Sequence, residues 1–405
     1  MLMELTRVRV YVAGVCSLIV TVGVARFSYS LLLPIMQDGA GLTKLGGGWL
    51  ASTNFMGYMC GVLLAASLHN MNYKYNLHRL YLILSVVTSA AMVMTNDMVT
   101  WAVLRFLAGI CASGGFIIAS GLILKWLVNN HHRAELGIHF SGAGLSIIVT
   151  SLLVEAMLTI SADWQQQWLA LAAMAAVFAI PAWLWMPHPF VDGKSINTAK
   201  DNPPTKTFTL LMMLAYFCAG YGYGYAVSST FIVDIVERVK SLQGRGGLAF
   251  LLVGVAATPA ALIWDRIARN TGYLKALIVA YILQGIGIIL PVINASLPVV
   301  IFSALLFGGT FIACVSMVLT MAGKFYPSNP GKFMGTMTLA YGAAQIMAPV
   351  STGYLTQALG SYDVGLYVST AVVMIGTLFL YGLLNIERKS MENKNINTKA
   401  KILIG

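Results

Sequence analysis

Charge is scarce in this chain. Asp, Glu, Lys and Arg together make up 10% of its 405 residues, and only 14 of those side chains are acidic. Soluble domains carry roughly 25% charged residues. A shortage of that size excludes disordered, collagen-like, coiled-coil and nucleic-acid-binding chains, each of which needs a polar or charged surface. Cysteine is sparse too: Cys16, Cys60, Cys111, Cys218 and Cys314 each sit in an apolar run, and none forms a CxxC pair. They read as small buried hydrophobes, not as disulfides or metal ligands. GxSxG, HExxH and a GxxxxGK loop ending in Ser or Thr are all missing. That removes the usual signatures of a membrane hydrolase, a zinc protease and an ATP-driven pump, so neither an enzyme nor a cofactor is expected.

What the chain has is apolar length. Hydrophobic residues make up 58% of it and the mean hydropathy is +0.78. A hydrocarbon core about 30 Å thick takes about 20 apolar residues per helix, which leaves room for about a dozen spans. Apolar runs fall at about 8–33, 47–68, 79–95, 99–127, 136–160 and 167–187. A polar segment from His188 to Lys206, with the Pro203-Pro204 pair, then interrupts the pattern near mid-chain. Six more runs follow at about 208–232, 246–263, 273–293, 298–322, 333–358 and 365–386. The sequence therefore predicts an all-α polytopic membrane protein of twelve transmembrane helices in two six-helix bundles, 1–187 and 207–405, joined by the linker 188–206. The first run is longer than a signal-peptide core and shows no small-residue cleavage site, so it is expected to be retained.

With the N-terminus inside, nineteen of the 25 basic residues fall in inside segments. Only Lys44, Arg238, Lys240 and Arg245 fall outside, and Arg26 and Arg105 lie within spans. This bias predicts an inner-membrane protein with both termini and the linker in the cytoplasm, and it explains the net charge of +11 without a nucleic-acid partner.

An ionisable side chain within the bilayer costs a few kcal/mol and normally faces a cavity or a partner. Arg26, Arg105 and Glu155 fit that description. Counted from the nearer run end, all three lie roughly 8–10 Å below the outer boundary, so they can share one layer. Two readings stand: a cationic site for an anionic substrate with Glu155 exchanging a proton, or a permanent buried ion pair. The seventh run interleaves Tyr221, Tyr223 and Tyr225 with glycines, which suits substrate stacking on a bendable helix or close helix packing. Tyr216 lies in the same run. Asn54, Gln284 and Gln345 are buried amides, candidates for interhelical bonding, with Asn54 and Gln345 also candidate substrate contacts. His131, His132 and Glu135 have ligand-like spacing but fall in a short loop, where a solvated turn is the better reading, and His139 reads as a packing residue.

Several short motifs in this order resemble the major facilitator superfamily, and within it the YbfB/YjiJ-type bacterial permeases. They are Val22-Gly23-Val24-Ala25-Arg26-Phe27 with Leu32-Leu33-Pro34, Arg105-Phe106-Leu107-Ala108-Gly109, Gly137-Ile138-His139-Phe140-Ser141-Gly142, Gly224-Tyr225 with Thr230-Phe231, and Phe307-Gly308-Gly309-Thr310-Phe311. The resemblance implies alternating access of the rocker type, with the first, fourth, seventh and tenth spans lining a central cavity. Arg26, Arg105 and Tyr225 would then meet the substrate. It also implies a cytoplasmic latch at Asp265-Arg266-Ile267-Ala268-Arg269; the matching stretch of the first half, His69 to Lys74, lacks the acid. The expected function is secondary transport of a small organic anion, such as a carboxylate or a carboxylate-rich chelate. It is expected to be proton-coupled and carried out by a monomer in the lipid bilayer. Efflux of amphipathic drugs and a transporter-like receptor are the alternatives.

Overall fold

A computed structural model of the chain describes residues 6–68, 70–132, 136–189, 202–222, 228–326 and 331–404. Among these residues the structure is all-helical with no strand. The first bundle holds α1 (Arg7–Ala40), α2 (Lys44–Ser67), α3 (Met71–Met94), α4 (Met98–Asn129), α5 (Gly137–Thr159) and α6 (Trp164–Leu184). The second holds α7 (Lys206–Gly222), α8 (Ser228–Glu237), α9 (Gly246–Thr271), α10 (Tyr273–Ile293), α11 (Leu297–Phe325), α12 (Gly331–Leu359) and α13 (Asp363–Ile404). Every predicted run carries a helix, and α7 and α8 share the seventh. Ten helices among the described residues are long and apolar enough to cross a membrane.

Helix starts follow from capping chemistry. Thr43 accepts the N–H of Gly46, Asn70 that of Asn72 and Asp97 that of Thr100, while Asp163 and Gln166 cap each other's backbones reciprocally. Each cap satisfies amide groups that the first turn leaves without partners. The Thr100 amide and hydroxyl hold the exposed Asp97 carboxyl below the usual range. At the corner between α9 and α10 the chain reverses on Gly272 alone, at φ +96°, a backbone conformation that disfavours any side chain. The first helix outruns its prediction: α1 continues past Leu33 through Pro34, Gln37 and Asp38 to Ala40. Arg26 accordingly lies near the middle of α1.

Lipid is as apolar as a helix face, so close backbone approach has to hold the bundle together. Gly57 of α2 lies against the Phe106 carbonyl of α4, and Gly109 of α4 lies against the Asn54 carbonyl of α2. A Cβ on either would overlap that oxygen. Similar approaches join the two bundles, with Gly48 of α2 on Pro349 of α12 and Gly144 of α5 on Thr258 of α9. The most apolar window of α1 is 78% buried and that of α4 67%, against 39% in α3 and 33% in α6. The first two therefore stand inside and the last two face lipid, presenting exposed Leu80, Ile83, Val177 and Ile180.

Candidate functional site

Two interior stretches depart from α geometry. Ile19–Phe27 in α1 and Gly114–Ala119 in α4 are wound as π-helix. There the backbone hydrogen bonds reach five residues, and carbonyls turn away from their usual partners. Side chains from neighbouring helices bond the redirected oxygens. Arg105 donates from Nη1 to the Ala25 carbonyl at 3.0 Å and from Nη2 to the Arg26 carbonyl at 3.3 Å. Asn54 Nδ2 donates to the Ala25 carbonyl at 3.2 Å and to that of Arg105 at 2.8 Å. The Tyr29 ring lies 4.6 Å from the Arg105 guanidinium, and its hydroxyl donates to the Gly47 carbonyl at 3.0 Å. Arg105 and Asn54 are both 2% exposed and brace α1 against α2 and α4.

Arg26 is placed differently. Its guanidinium sits over the rings of Phe55 and Tyr58, 4.6 and 4.7 Å from their centroids, at cation–π distance. It also lines a cavity whose empty space, counted together with the solvent at its open side, is about 790 Å³, walled by Tyr58, Phe116, Phe140, Tyr216, Phe311 and Tyr341 among others. Arg26 is the only charged side chain among the described residues of that lining. A smaller cavity of about 260 Å³ meets it at Arg26 and includes Tyr29, Asn54, Arg105 and Thr230. Gln345 lines the larger cavity, is 1% exposed, and has no hydrogen-bond partner at either amide atom among the described residues. Gln284, by contrast, accepts from the Thr310 hydroxyl.

On the Ala40 side of Arg26 the bundles close. Phe27 meets Phe250 and Phe311 edge-on, with centroids 6.5 and 6.4 Å apart. Further out, Asp234 is 1% exposed, pairs with Arg238 at 2.8 Å and accepts from the Tyr362 hydroxyl. Burial first, and the Asp234 carboxylate second, push the Tyr362 hydroxyl pKa up, so it remains a donor. Arg238 donates in turn to Gln37 of α1. The Leu45 amide donates to the Gln357 side chain at 3.2 Å, and Ser52 to the Ile346 carbonyl at 2.7 Å. All three of these last bonds cross from one bundle to the other. Sequence reading missed Asp234 because it lies just past the predicted run end at 232; the signal was an acid four residues before a base. The cavity aromatics Tyr58, Phe116, Phe140, Phe311 and Tyr341 carried no sequence signal that separated them from packing residues.

The remaining candidates lie elsewhere. Glu155 packs against Gly247 of α9 with the Glu237 carboxylate nearby, and no ion pair joins it to either arginine. Asp265 pairs with Arg269 one turn on and accepts from the Tyr273 hydroxyl at 3.2 Å, while Arg266 is exposed. Tyr223, Tyr225 and Glu135 lie outside the described residues, as does the side chain of Tyr221. His139 is buried with Nε2 3.2 Å from the Gly115 carbonyl, in the π stretch of α4. The ring of His132 lies 5.6 Å from that of Trp126, and the described residues contain no metal-ligand cluster.

Comparison with known proteins adds to this geometry. A family model described as the uncharacterised MFS-type transporter YbfB matches residues 18–381. A probable sulfoacetate transporter, SauU, of Cupriavidus necator is 24% identical over 399 residues, spanning 89% of this chain and 91% of that protein. A crystal structure of a mutant of the nucleoside transporter NupG superposes with a TM-score of 0.73 over 93% of this chain and 99% of its own, at 9% identity. A second NupG structure gives 0.69 over 93% and 98%, again at 9% identity, a likeness of fold alone.

Proposed function

We propose, for a chain that belongs to the family of YbfB-type major facilitator transporters, that it moves a small organic anion by proton-coupled alternating access. The observation that carries this reading is Arg26: its guanidinium, 6% exposed, is the one charged group among the described residues at the wall of a cavity between two bundles. In so apolar a chamber a guanidinium offers directed donors to a carboxylate or sulfonate and none of the acceptors a cation would need. The name of the SauU relative, a probable sulfoacetate transporter, supports the same class of cargo.

In this reading Arg26 anchors the anion and Gln345 contacts it. Arg105 and Asn54 hold the π turn that aims Arg26, and Tyr221 and Tyr225 belong to the gate of the seventh span. Glu155 couples the cycle to protons, and Asp265 with Arg266 and Arg269 steadies the inner face. The bundles are 1–187 and 207–405, the linker 188–206 and both termini are cytoplasmic, and a monomer in the inner membrane is the working unit.

Counterflow in proteoliposomes tests the reading. Small carboxylates and sulfonates are expected to compete and lipophilic cations to fail, with Arg26→Gln weakening exchange by about 10- to 100-fold, the worth of a charge-assisted hydrogen bond. Glu155→Gln is expected to keep exchange and lose acceleration by a pH gradient. Competition by cations with Arg26→Gln fully active would establish drug efflux instead, and binding without counterflow would establish a receptor.

A further inference from the structure

The walls of the cavity are of a particular kind. Phe116 of α4 and Phe140 of α5 stack with ring centroids 6.2 Å apart and planes at 29°. Tyr216 of α7 and Tyr341 of α12 stack at 4.5 Å and 27°. All four rings line the cavity that holds Arg26, so each bundle contributes one stacked pair. A flat ring in such a chamber finds aromatic surface on both bundles, and offset or edge-on ring contacts stabilise it beyond area burial. A two-carbon acid, with no ring to lay against the stacked pairs, would make few such contacts.

Charge points the same way. One guanidinium matches one carboxylate or sulfonate, and a second anionic group would be buried, without a countercharge, among the neutral side chains of the described lining. Gln345 adds a third constraint. A buried amide whose donor and acceptor both lack partners among the described residues is complementary to a neutral polar group on whatever fills the cavity.

Resting on the anion reading above, we infer that the preferred substrate is an aromatic monoanion. It is an arene or heteroarene with one carboxylate or sulfonate held by Arg26, its ring against the two stacked pairs, and a hydroxyl, carbonyl or ring nitrogen at Gln345. The charge-to-cavity match distinguishes this cargo from a short aliphatic dianion.

Calorimetric titration of the full-length protein in nanodiscs tests it with benzoate, 4-hydroxybenzoate, benzenesulfonate, acetate, sulfoacetate and neutral benzamide. Benzoate and benzenesulfonate are expected to bind at least about tenfold more tightly than acetate and sulfoacetate, a difference of about 1.4 kcal/mol. The hydroxylated ring is expected to outbind benzoate in the wild type and to lose that advantage in Gln345→Leu. Phe140→Leu and Tyr341→Leu, two separate variants in case one fails to fold, are each expected to weaken benzoate severalfold more than they weaken acetate. Acetate or sulfoacetate binding as tightly as benzoate would overturn the aromatic inference while leaving the anion reading in place. Benzamide binding as tightly as benzoate would remove the anion reading while leaving the ring slot. Absence of binding by every probe would overturn both.

Discussion

At the scale of single residues, two arginines that look alike in the sequence do different work. Both stand out as intramembrane charges, and that much was legible from an apolar run interrupted by one cation. Their division of labour was not, because it depends on the wide turn of α1, and Ile19–Phe27 has no composition that announces a π-helix. Arg105 spends both terminal nitrogens on the carbonyls of Ala25 and Arg26, whereas Arg26 sits over Phe55 and Tyr58 at the cavity wall. A lysine at 105 has one compact ammonium and cannot reproduce the fork. Arg105→Lys is therefore expected to lower stability by about 1.5–3 kcal/mol and to abolish transport through misplacement of Arg26. Arg26→Lys is expected to melt near the wild-type temperature and to lose substrate affinity. Thermal melts beside uptake assays separate the two, and an Arg105→Lys protein that melts and transports normally would refute the bracing role.

At the scale of helices, the lengths of the apolar runs gave the order of elements, since hydropathy acts locally. Direction around a helix was not legible. Counting residues placed Glu155 at the level of the arginines, yet its side chain faces Gly247 of α9 instead. Azimuth comes from which helices neighbour one another, and that is a tertiary property. The α2–α4 crossing shows how tightly those neighbours are set. Gly109→Ala would drive a methyl into the Asn54 carbonyl and push apart the two helices that seat Asn54 and Arg105. A cost of about 1–3 kcal/mol is expected from such overpacking. Gly121→Ala, in the same helix α4 but facing open space, is expected to be neutral or slightly stabilising. Equal melting temperatures for the two variants would contradict the crossing geometry.

At the scale of the whole molecule, the closed seam on the Ala40 side of Arg26, the outer side in the reading proposed above, links both bundles through Arg238 and Gln37, Leu45 and Gln357, and Ser52 and Ile346. Removing the Arg238 donor is expected to shift the population toward an outward-open state. In a background without the five native cysteines, Ser30→Cys at the smaller cavity should react severalfold faster with an impermeant thiol reagent added outside once Arg238→Ala is present. An unchanged labelling rate would remove Arg238 from the closure. The seam exists because α1 serves both bundles: its first half, Arg7–Leu18, packs on α5 and α6, and its second half, Ser28–Ala40, packs on α8. Between them the π stretch acts as a phase change. Each wide turn takes up about one extra residue, roughly 100° of rotation about the axis. A helical wheel drawn at regular pitch from Arg7 thus assigns the wrong face to every position from Ser28 onward, and spin labels or cross-links on the outer half of α1 have to be laid out on a wheel restarted after Phe27.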